Sequence, residues 1–340
     1  MVGTLLSAGL LAFLLWRVDL GAVAEQLART RWEWALASAV FAVANVWARA
    51  RRWRYLYPPG SNPPALFRAA MIGYMANNVL PLRAGEIVRV YVVARHWSQG
   101  FWLPLATLVV ERVLDALVVV LILGGLLFIV PLPAALRWTA AAFLALDAAA
   151  VVVLVAIATA PDACRQVITR LTANWSSLER KLIGGFEMFA RGLVGVRTPV
   201  HVGPIVAWSA IVWLLAALMA WTALLAARLH LPFVAAWTVV AFVGLGISLP
   251  SAPGYVGVFH AAAVLALAVF SVPEAAALGY AVVYHACGFI PVTLFGWILL
   301  LREQMSLGIA LRGAAAVGAA AEGEATHDKP SRAGNDCASR

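Results

Sequence analysis

The residues best suited to chemistry are charged side chains embedded in otherwise apolar sequence. Glu111, Arg112 and Asp115 interrupt a long run of Leu, Val and Ala. On a helix, Glu111 and Asp115 share one face because they are four residues apart. An ionised group in apolar surroundings is costly unless it is paired. We therefore expect these side chains to form a buried ion-pair cluster.

Candidate partners lie just before this run, beside a Pro/Gly break. Arg83, Glu86 and Arg89 follow one another at intervals of three residues. Glu86 and Arg89 therefore share a helix face. We expect the two arginines, together with Arg112, to pair with the two carboxylates of the apolar run.

The composition is that of a membrane protein. Of the 340 residues, 63% are apolar and 12% are charged, whereas a soluble domain carries about twice that charged fraction. The apolar residues form long blocks, which indicates spanning helices and argues against an outer-membrane barrel. We attribute the net charge of +9 to loop arginines that set orientation and contact anionic lipid, not to nucleic-acid binding.

Six segments have about the length of a transmembrane helix; they are residues 2–17, 33–50, 101–130, 134–159, 203–228 and 274–301. We expect the first to be a retained helix, because no Lys or Arg precedes it as in a signal peptide. Glu111 lies roughly 15 Å along the helix from Phe101, near the middle of a bilayer core about 30 Å thick. At that depth the ion cluster is predicted either to pin the helices together or to contact a lipid headgroup.

Two further apolar regions, 64–95 and 233–270, are interrupted by Pro and Gly. Broken backbone at membrane depth is tolerated only when it is buried in protein or lines a wet cavity. We therefore predict two re-entrant helical hairpins. The residues expected to shape their breaks are Pro81, Gly85, Pro250, Pro253, Gly254 and Gly257.

The two broken regions also match each other at an offset of 169 positions. The matching residues in the first region are Pro63, Leu80, Pro81, Gly85, Pro104 and Ala106, and in the second they are Pro232, Leu249, Pro250, Gly254, Pro273 and Ala275. Three spans separate the two hairpins, and an odd number inverts the second unit. The sequence predicts an inverted repeat with units of about 63–130 and 232–301, a recurring transporter design.

The second unit lacks the charges of the first. Tyr280 and Tyr284 occupy the repeat positions of Glu111 and Asp115, and His285 follows. A charged and an uncharged half-site would suit an amphipathic substrate, so we count the two tyrosines and His285 among the candidate substrate or gating residues. For His285 and the nearby His260, a buried imidazole is favoured over a proton relay.

Loop arginines predict the orientation and the domain organisation. We place in the cytoplasm the arginines after the second span, the segment 160–200 and the residues after the last span, following the positive-inside rule; the first of these groups is Arg49, Arg51, Arg52 and Arg54. Both termini then lie in the cytoplasm of a multi-pass protein of the cell (inner) membrane. We expect an integral membrane domain over 1–313, in which 160–200 lies along the cytoplasmic surface, and a disordered tail over 314–340.

No enzyme motif stands out. Paired carboxylates serve acid–base catalysis, but an adjacent arginine would hold these two ionised. Cys164, Cys287 and Cys337 match no metal or disulfide spacing. We expect no metal, no cofactor and no catalytic residue. Glu111, Arg112 and Asp115 could still bind a polyprenyl-phosphate headgroup or a divalent ion, which keeps a transferase in consideration.

Two motifs resemble a known family. One is Asn78 to Glu86 with Arg89 and the Glu111–Asp115 cluster, and the other is Pro250 to Gly257. They are similar to the lysylphosphatidylglycerol synthase transmembrane-region family, also called flippase-like integral membrane proteins, over about residues 1–305. The resemblance implies lipid handling: its best-known members are thought to flip aminoacylated phosphatidylglycerol, and others are associated with archaeal glycosylation or hopanoid-linked lipids. No large soluble domain follows here, so we do not expect a self-contained synthase.

The function predicted is therefore a flippase or transporter that moves a phospholipid or a polyprenyl- or hopanoid-type lipid between leaflets. Two alternatives stay open. One is a membrane-embedded transferase acting on a lipid-linked substrate, and the other is a non-catalytic partner of lipid-synthesis enzymes. The expected partners are membrane lipids and, as a second class, lipid- or glycan-synthesis enzymes.

Overall fold

A computed structural model describes residues 9–10, 12–13, 19–80, 83–97, 101–130, 151–153, 155–157, 159–172, 198–248 and 251–308, with further isolated positions between 138 and 195. In these residues all regular structure is helical. This confirms the predicted all-α polytopic membrane fold. Three predicted segments lie wholly or largely outside the described residues, namely 2–17, 134–159 and 314–340.

Ten helices have described bounds; they are α1 (Leu20–Ala28), α2 (Trp32–Tyr55), α3 (Leu66–Val79), α4 (Gly85–Arg95), α5 (Trp102–Ile129), α6 (Pro161–Thr172), α7 (Pro199–Ala226), α8 (Phe233–Ser248), α9 (Val258–Ala268) and α10 (Glu274–Arg302). A 3₁₀ turn, Pro253–Tyr255, lies between α8 and α9.

Three of these helices, α5, α7 and α10, are long and apolar enough to cross a membrane. They correspond to the spans predicted at 101–130, 203–228 and 274–301. The span predicted at 33–50 lies in α2, whose 24 residues extend roughly 36 Å. It is less apolar because its second half carries Asn45 and four arginines.

The end of α2 corrects the sequence analysis. We expected the four arginines after position 48 to lie in a cytoplasmic loop. Instead α2 continues to Tyr55, so all four belong to its last turns. Arg51 and Arg54 are exposed, whereas Arg52 is fully buried and Arg49 is mostly buried. Arg49 and Arg52 are therefore not loop residues, and they cannot be counted when loop charges are used to predict the orientation.

The first predicted hairpin is formed by α3 and α4. Helix α3 ends where Leu80 turns to an extended conformation, as expected for a residue that precedes proline. The two helices then pack closely: a Cβ on Gly85 would lie 2.6 Å from the backbone N of Asn77. Only glycine permits this approach. Pro81 lies outside the described residues.

The second predicted hairpin is formed by α8 and α9. Between them, Gly254 has φ 67° and Gly257 has φ 89°, a region that glycine adopts at little cost. Ala252, which precedes Pro253, is extended. These backbone angles turn the chain from α8 into α9. Pro250 lies outside the described residues.

The repeat extends further upstream than the sequence match indicates. Adding 169 to the bounds of α3 gives 235–248, which lies within α8, and adding it to those of α2 gives 201–224, which lies within α7. The equivalent helices α2 and α7 pack side by side in opposite directions. Near one end the Arg31 backbone N–H donates to the Ala226 carbonyl at 2.9 Å, and further along the Ser38 hydroxyl donates to the Met219 carbonyl at 2.9 Å.

Antiparallel packing of equivalent helices is the arrangement that a twofold axis perpendicular to them produces. The other contacts agree with it, because α3 packs on α10 and its equivalent α8 packs on α5. These contacts support an inverted repeat. The boundaries that we predicted for its units stay a prediction.

Candidate functional site

The centre of the first unit is an ion-pair network around Glu111. This residue is fully buried on α5. Arg89 of α4 donates to both carboxylate oxygens, at 2.8 and 3.2 Å, and Arg112 donates to one at 3.0 Å. Such forked guanidinium–carboxylate contacts are among the stronger hydrogen bonds in proteins. Two of the three predicted arginine partners are thus in place.

Asp115, one turn further along α5, is held by α2. Arg49 donates to one oxygen at 2.6 Å and Arg52 donates to the other at 2.8 Å. Arg52 also lies 3.6 Å from a Glu111 oxygen, so the two carboxylates share it. The network therefore connects α2, α4 and α5.

Arg49 and Arg52 are functional candidates that the sequence analysis missed. Their spacing of three residues places them on one helix face, and that spacing was a usable signal. The signal is masked in the sequence, because four arginines within six positions also match the pattern of a cytoplasmic loop. What distinguishes the inward pair from Arg51 and Arg54 is the packing of α5 against one side of α2.

The buried arginines are supported by aromatic and hydroxyl groups. The Arg89 guanidinium lies 3.8 Å from the ring centre of Trp53, a distance at which a cation and a ring attract. The Trp53 indole N–H in turn donates to the Thr107 hydroxyl at 3.0 Å. These contacts hold Arg89 in a fixed position, which favours a role for Arg89 in the stability of the fold.

Arg83 differs from the other arginines. It does not pair with Glu111 or Asp115, and no carboxylate lies within 4.0 Å of it among the described residues. Its guanidinium donates to the Ile247 carbonyl near the end of α8 and lies 5.7 Å from the ring centre of Tyr255. Arg83 therefore joins the break of the first hairpin to that of the second.

A cavity of about 280 Å³ lies where the two units meet; we call it the polar cavity for the charged, amide and hydroxyl groups on its wall, although apolar groups make up most of its surface. It is lined by charged, amide and aromatic side chains from both units, including Asn45, Arg49, Tyr74, Asn78, Arg83, Glu86, Arg112, Tyr255, Tyr284 and His285. Residues of both hairpin breaks thus reach one cavity. The charged members come from the first unit and the aromatic and imidazole members come largely from the second.

A larger, mostly apolar cavity of about 420 Å³ adjoins it between α5, α7 and α8. Its apolar lining includes Val113, Ala116, Val119, Val120, Trp213, Gly244 and Leu245. Arg49, Arg83, Arg112 and Ile247 line both cavities. Ala116 is exposed, so the apolar cavity reaches the outer surface of the helix bundle.

The candidate residues of the second unit form an uncharged cluster. The Tyr280 hydroxyl donates to the Ala220 carbonyl at 3.2 Å, and the Tyr280 and Tyr284 rings stack with their centres 5.5 Å apart. His285 stacks on Phe259 at 4.7 Å and lies 5.0 Å from His260. Tyr284 and His285 line the polar cavity, whereas Tyr280 is fully buried in the core beside it.

The candidate residues thus divide into two groups. Arg83, Glu86, Arg112, Tyr284 and His285 line the polar cavity, and Asp115 lines the apolar one. The others among the candidates, Arg89, Glu111 and Tyr280, are buried behind these walls. Each of the two carboxylates on α5 is held by at least two guanidinium groups.

This is an all-helical membrane protein with an inverted pair of broken hairpins and a two-part cavity between them. The model of one protein family, the lysylphosphatidylglycerol synthase TM region, matches residues 1–296. The chain belongs to this family, whose members are membrane proteins related to lipid metabolism or flipping. No curated protein and no solved structure gives a significant match.

Proposed function

We propose that this protein moves an amphipathic lipid between the two leaflets of a membrane. The observation that carries the proposal is the pair of adjoining cavities with a shared wall, of which the first has more charged, amide and hydroxyl groups in its lining than the second. A lipid has the same division into a polar headgroup and apolar chains. Phospholipids and polyprenyl- or hopanoid-type lipids all have this character.

The position of the cavities favours movement rather than static binding. Both units contribute residues to the polar cavity. The breaks of the two hairpins contact each other there, because Arg83 donates to the Ile247 carbonyl. In transporters built from inverted repeats, the substrate sits between the units, and rocking of one unit against the other opens the site to alternate sides. The antiparallel pair α2 and α7 would provide the axis for such rocking.

The apolar cavity supplies a path for acyl or polyprenyl chains. It lies between α5 and α8, and exposed Ala116 and Ser248 stand at its edge. A chain could extend from there into the bilayer while the headgroup stays inside. The cost of carrying a charged headgroup through the apolar core is thereby reduced, because the polar cavity provides its partners.

The transferase alternative has less support. Asp115 is the carboxylate that reaches the apolar cavity, but two arginines hold its oxygens at 2.6 and 2.8 Å. A catalytic acid or base needs a proton-exchanging group within reach of the substrate. A partner role beside lipid- or glycan-synthesis enzymes is compatible with transport and becomes the main alternative if the purified protein moves no lipid.

The proposal includes a cytoplasmic membrane location with both termini inside. It is supported by the arginines of α6, by Arg302 at the end of α10 and by Arg312 further along the sequence, but no longer by Arg49 and Arg52. Native Cys164, which lies in α6, provides a test in a Cys337→Ser background. An impermeant maleimide should label it only after the cells are permeabilised. Labelling of intact cells would reverse the orientation.

The function is tested by lipid movement in proteoliposomes. Fluorescent lipids in the inner leaflet become accessible to an external quencher only if the protein moves them. We compare two alanines of α7: Ala216 lines the polar cavity, whereas Ala210 is exposed on the same helix. Ala216→Trp should lower the rate by at least about tenfold, because the indole fills the cavity, and Ala210→Trp should leave it unchanged. A folded wild-type protein that moves no lipid would contradict the proposal.

A further inference from the structure

The sign of the charge at the cavities identifies the kind of headgroup. Arg49, Arg83 and Arg112 line both cavities, whereas among the described residues each cavity has a single carboxylate, Glu86 or Asp115. Arg52, Arg89 and Glu111 complete the network behind the walls. In this part of the structure five arginines therefore face three carboxylates, which leaves two positive charges without a carboxylate.

Two of the arginines can reach a ligand. The Arg112 side chain donates to Glu111 at 3.0 Å and lies 3.7 Å from Asp115 and 3.8 Å from Glu86, yet it is 35% exposed and lines both cavities. Arg83, whose hydrogen-bond partner among the described residues is a carbonyl oxygen, has further N–H groups to donate. Arg52 and Arg89 are fully or almost fully buried, so they balance the carboxylates of α5 instead.

We infer that the transported lipid carries an anionic, phosphate-type headgroup, which Arg83 and Arg112 bind while its chains occupy the apolar cavity. This inference rests on the proposed transport function. Guanidinium groups match phosphate oxygens with paired hydrogen bonds. A cationic headgroup, such as a lysyl ester of phosphatidylglycerol, would instead meet uncompensated positive charge in surroundings that screen it poorly.

The phosphate could belong to a glycerophospholipid or to a polyprenyl phosphate, since the arginines recognise the shared group. The two differ in their chains, and the apolar cavity reaches the bilayer through a side opening at Ala116. The experiment therefore includes both. It uses tail-labelled phosphatidylglycerol, polyprenyl phosphate, phosphatidylcholine and lysylphosphatidylglycerol, each at trace level in phosphatidylcholine proteoliposomes containing the full chain.

At least one of the two anionic lipids should move about tenfold faster than phosphatidylcholine, and lysylphosphatidylglycerol should be the slowest. Arg83→Gln is the decisive variant because it removes a positive charge without leaving a carboxylate unpaired. It should lower the rate of the preferred anionic lipid by about tenfold, the effect of losing one charge-assisted contact, and change that of phosphatidylcholine much less. Arg51→Gln, at an exposed arginine of α2, should change neither rate.

Binding separates the failure of this inference from the failure of transport. Short-chain forms of the same lipids are added to the purified protein in detergent, and the shift of its melting temperature is measured. Anionic lipids should stabilise the wild type more than the cationic one, and Arg83→Gln should remove that difference. Transport of all lipids at equal rates, or preference for the cationic lipid, overturns the inference while leaving transport standing. If no lipid moves, transport fails, and the melting shifts alone decide the headgroup preference.

Discussion

The two units of the protein build the same backbone arrangement with opposite chemistry. In the first unit, Glu111 and Asp115 on α5 are held by arginines of α2, α4 and α5. In the second unit, the equivalent positions on α10 are Tyr280 and Tyr284, which stack on each other. One unit is therefore held together by ion pairs and the other by aromatic and apolar packing.

This difference indicates that the charges are not needed to form a broken hairpin. The second hairpin packs on its span with no acidic or basic residue at the corresponding positions. The charges of the first unit therefore have a role that the second unit does not need. Arginines of the first unit form the wall that both cavities share, so we assign this role to the cavities. The comparison predicts that ion-pair substitutions are costly in the first unit and that equivalent ones in the second are mild.

The largest effect is expected for Asp115→Ala. The substitution leaves Arg49 and Arg52 without their nearest carboxylate in a buried position. Removing one partner of a buried pair destabilises a protein by about 3–5 kcal/mol. We expect a marked fall in thermal stability in detergent, measured by loss of a monodisperse peak after heating.

A matched pair of variants isolates the ionic cause. Tyr284→Phe, at the equivalent position of the second unit, removes only a hydroxyl and should lower the thermal stability far less than Asp115→Ala. The double variant Asp115→Ala, Arg49→Leu should recover part of the loss because it removes one of the unpaired charges. Equal stability of Asp115→Ala and Tyr284→Phe would contradict the contrast between the units.

The second effect concerns the equivalent glycines Gly85 and Gly254. A Cβ on Gly85 would meet the backbone of both Gly73 and Asn77, and backbone cannot move aside easily. We expect Gly85→Ala to destabilise by about 1–3 kcal/mol. Gly254→Ala would meet the Phe289 ring at 2.8 Å and adopt φ 67°, so about 1–2 kcal/mol is expected from the left-handed backbone.

Gly124→Ala is the control for both, because a Cβ there has no heavy atom of the described residues within 4 Å. It lies inside α5, where alanine favours the helix, so thermal stability should stay the same or rise slightly. A Gly85→Ala protein as stable as Gly124→Ala would mean that α3 and α4 can separate, and that the close hairpin is not required.

The smallest effect is expected for Tyr280→Phe. The Tyr280 hydroxyl donates one hydrogen bond, to the Ala220 carbonyl at 3.2 Å. Its loss should cost about 1 kcal/mol, seen as a small fall of the melting temperature in detergent. Glu111→Gln, at the equivalent position, keeps a similar shape but should cost several times more. A large loss for Tyr280→Phe would show that the second unit also depends on a polar contact.

Much of the fold follows from local sequence features. The two Pro/Gly breaks and their common offset predict the hairpins and the repeat, because these residues act on the backbone wherever they stand. The pairing of Glu111 with Arg89 and Arg112 follows from the cost of an isolated charge in apolar surroundings.

Other parts of the site depend on contacts between distant segments. Arg49 and Arg51 have the same side chain and nearly the same sequence surroundings, yet one lies against Asp115 and the other is exposed. Only the packing of other helices against one side of α2 separates them. The contact of Arg83 with Ile247 joins residues 164 positions apart, and no local pattern indicates it. Each cavity is lined by residues of at least four helices and has no sequence signature.

The central claim is that an anionic lipid enters the cavity between the units. Photo-crosslinking tests it most directly. The photoreactive analogue p-benzoylphenylalanine replaces Phe289, which lines the polar cavity, or Phe128, which is 92% exposed on α5, and the lipids attached after irradiation in mixed-lipid proteoliposomes are identified by mass spectrometry. We predict that anionic lipids are enriched at position 289 relative to their share of the bilayer, while position 128 captures lipids in proportion to that share. The same lipid composition at both positions, or no lipid at position 289, would contradict the account.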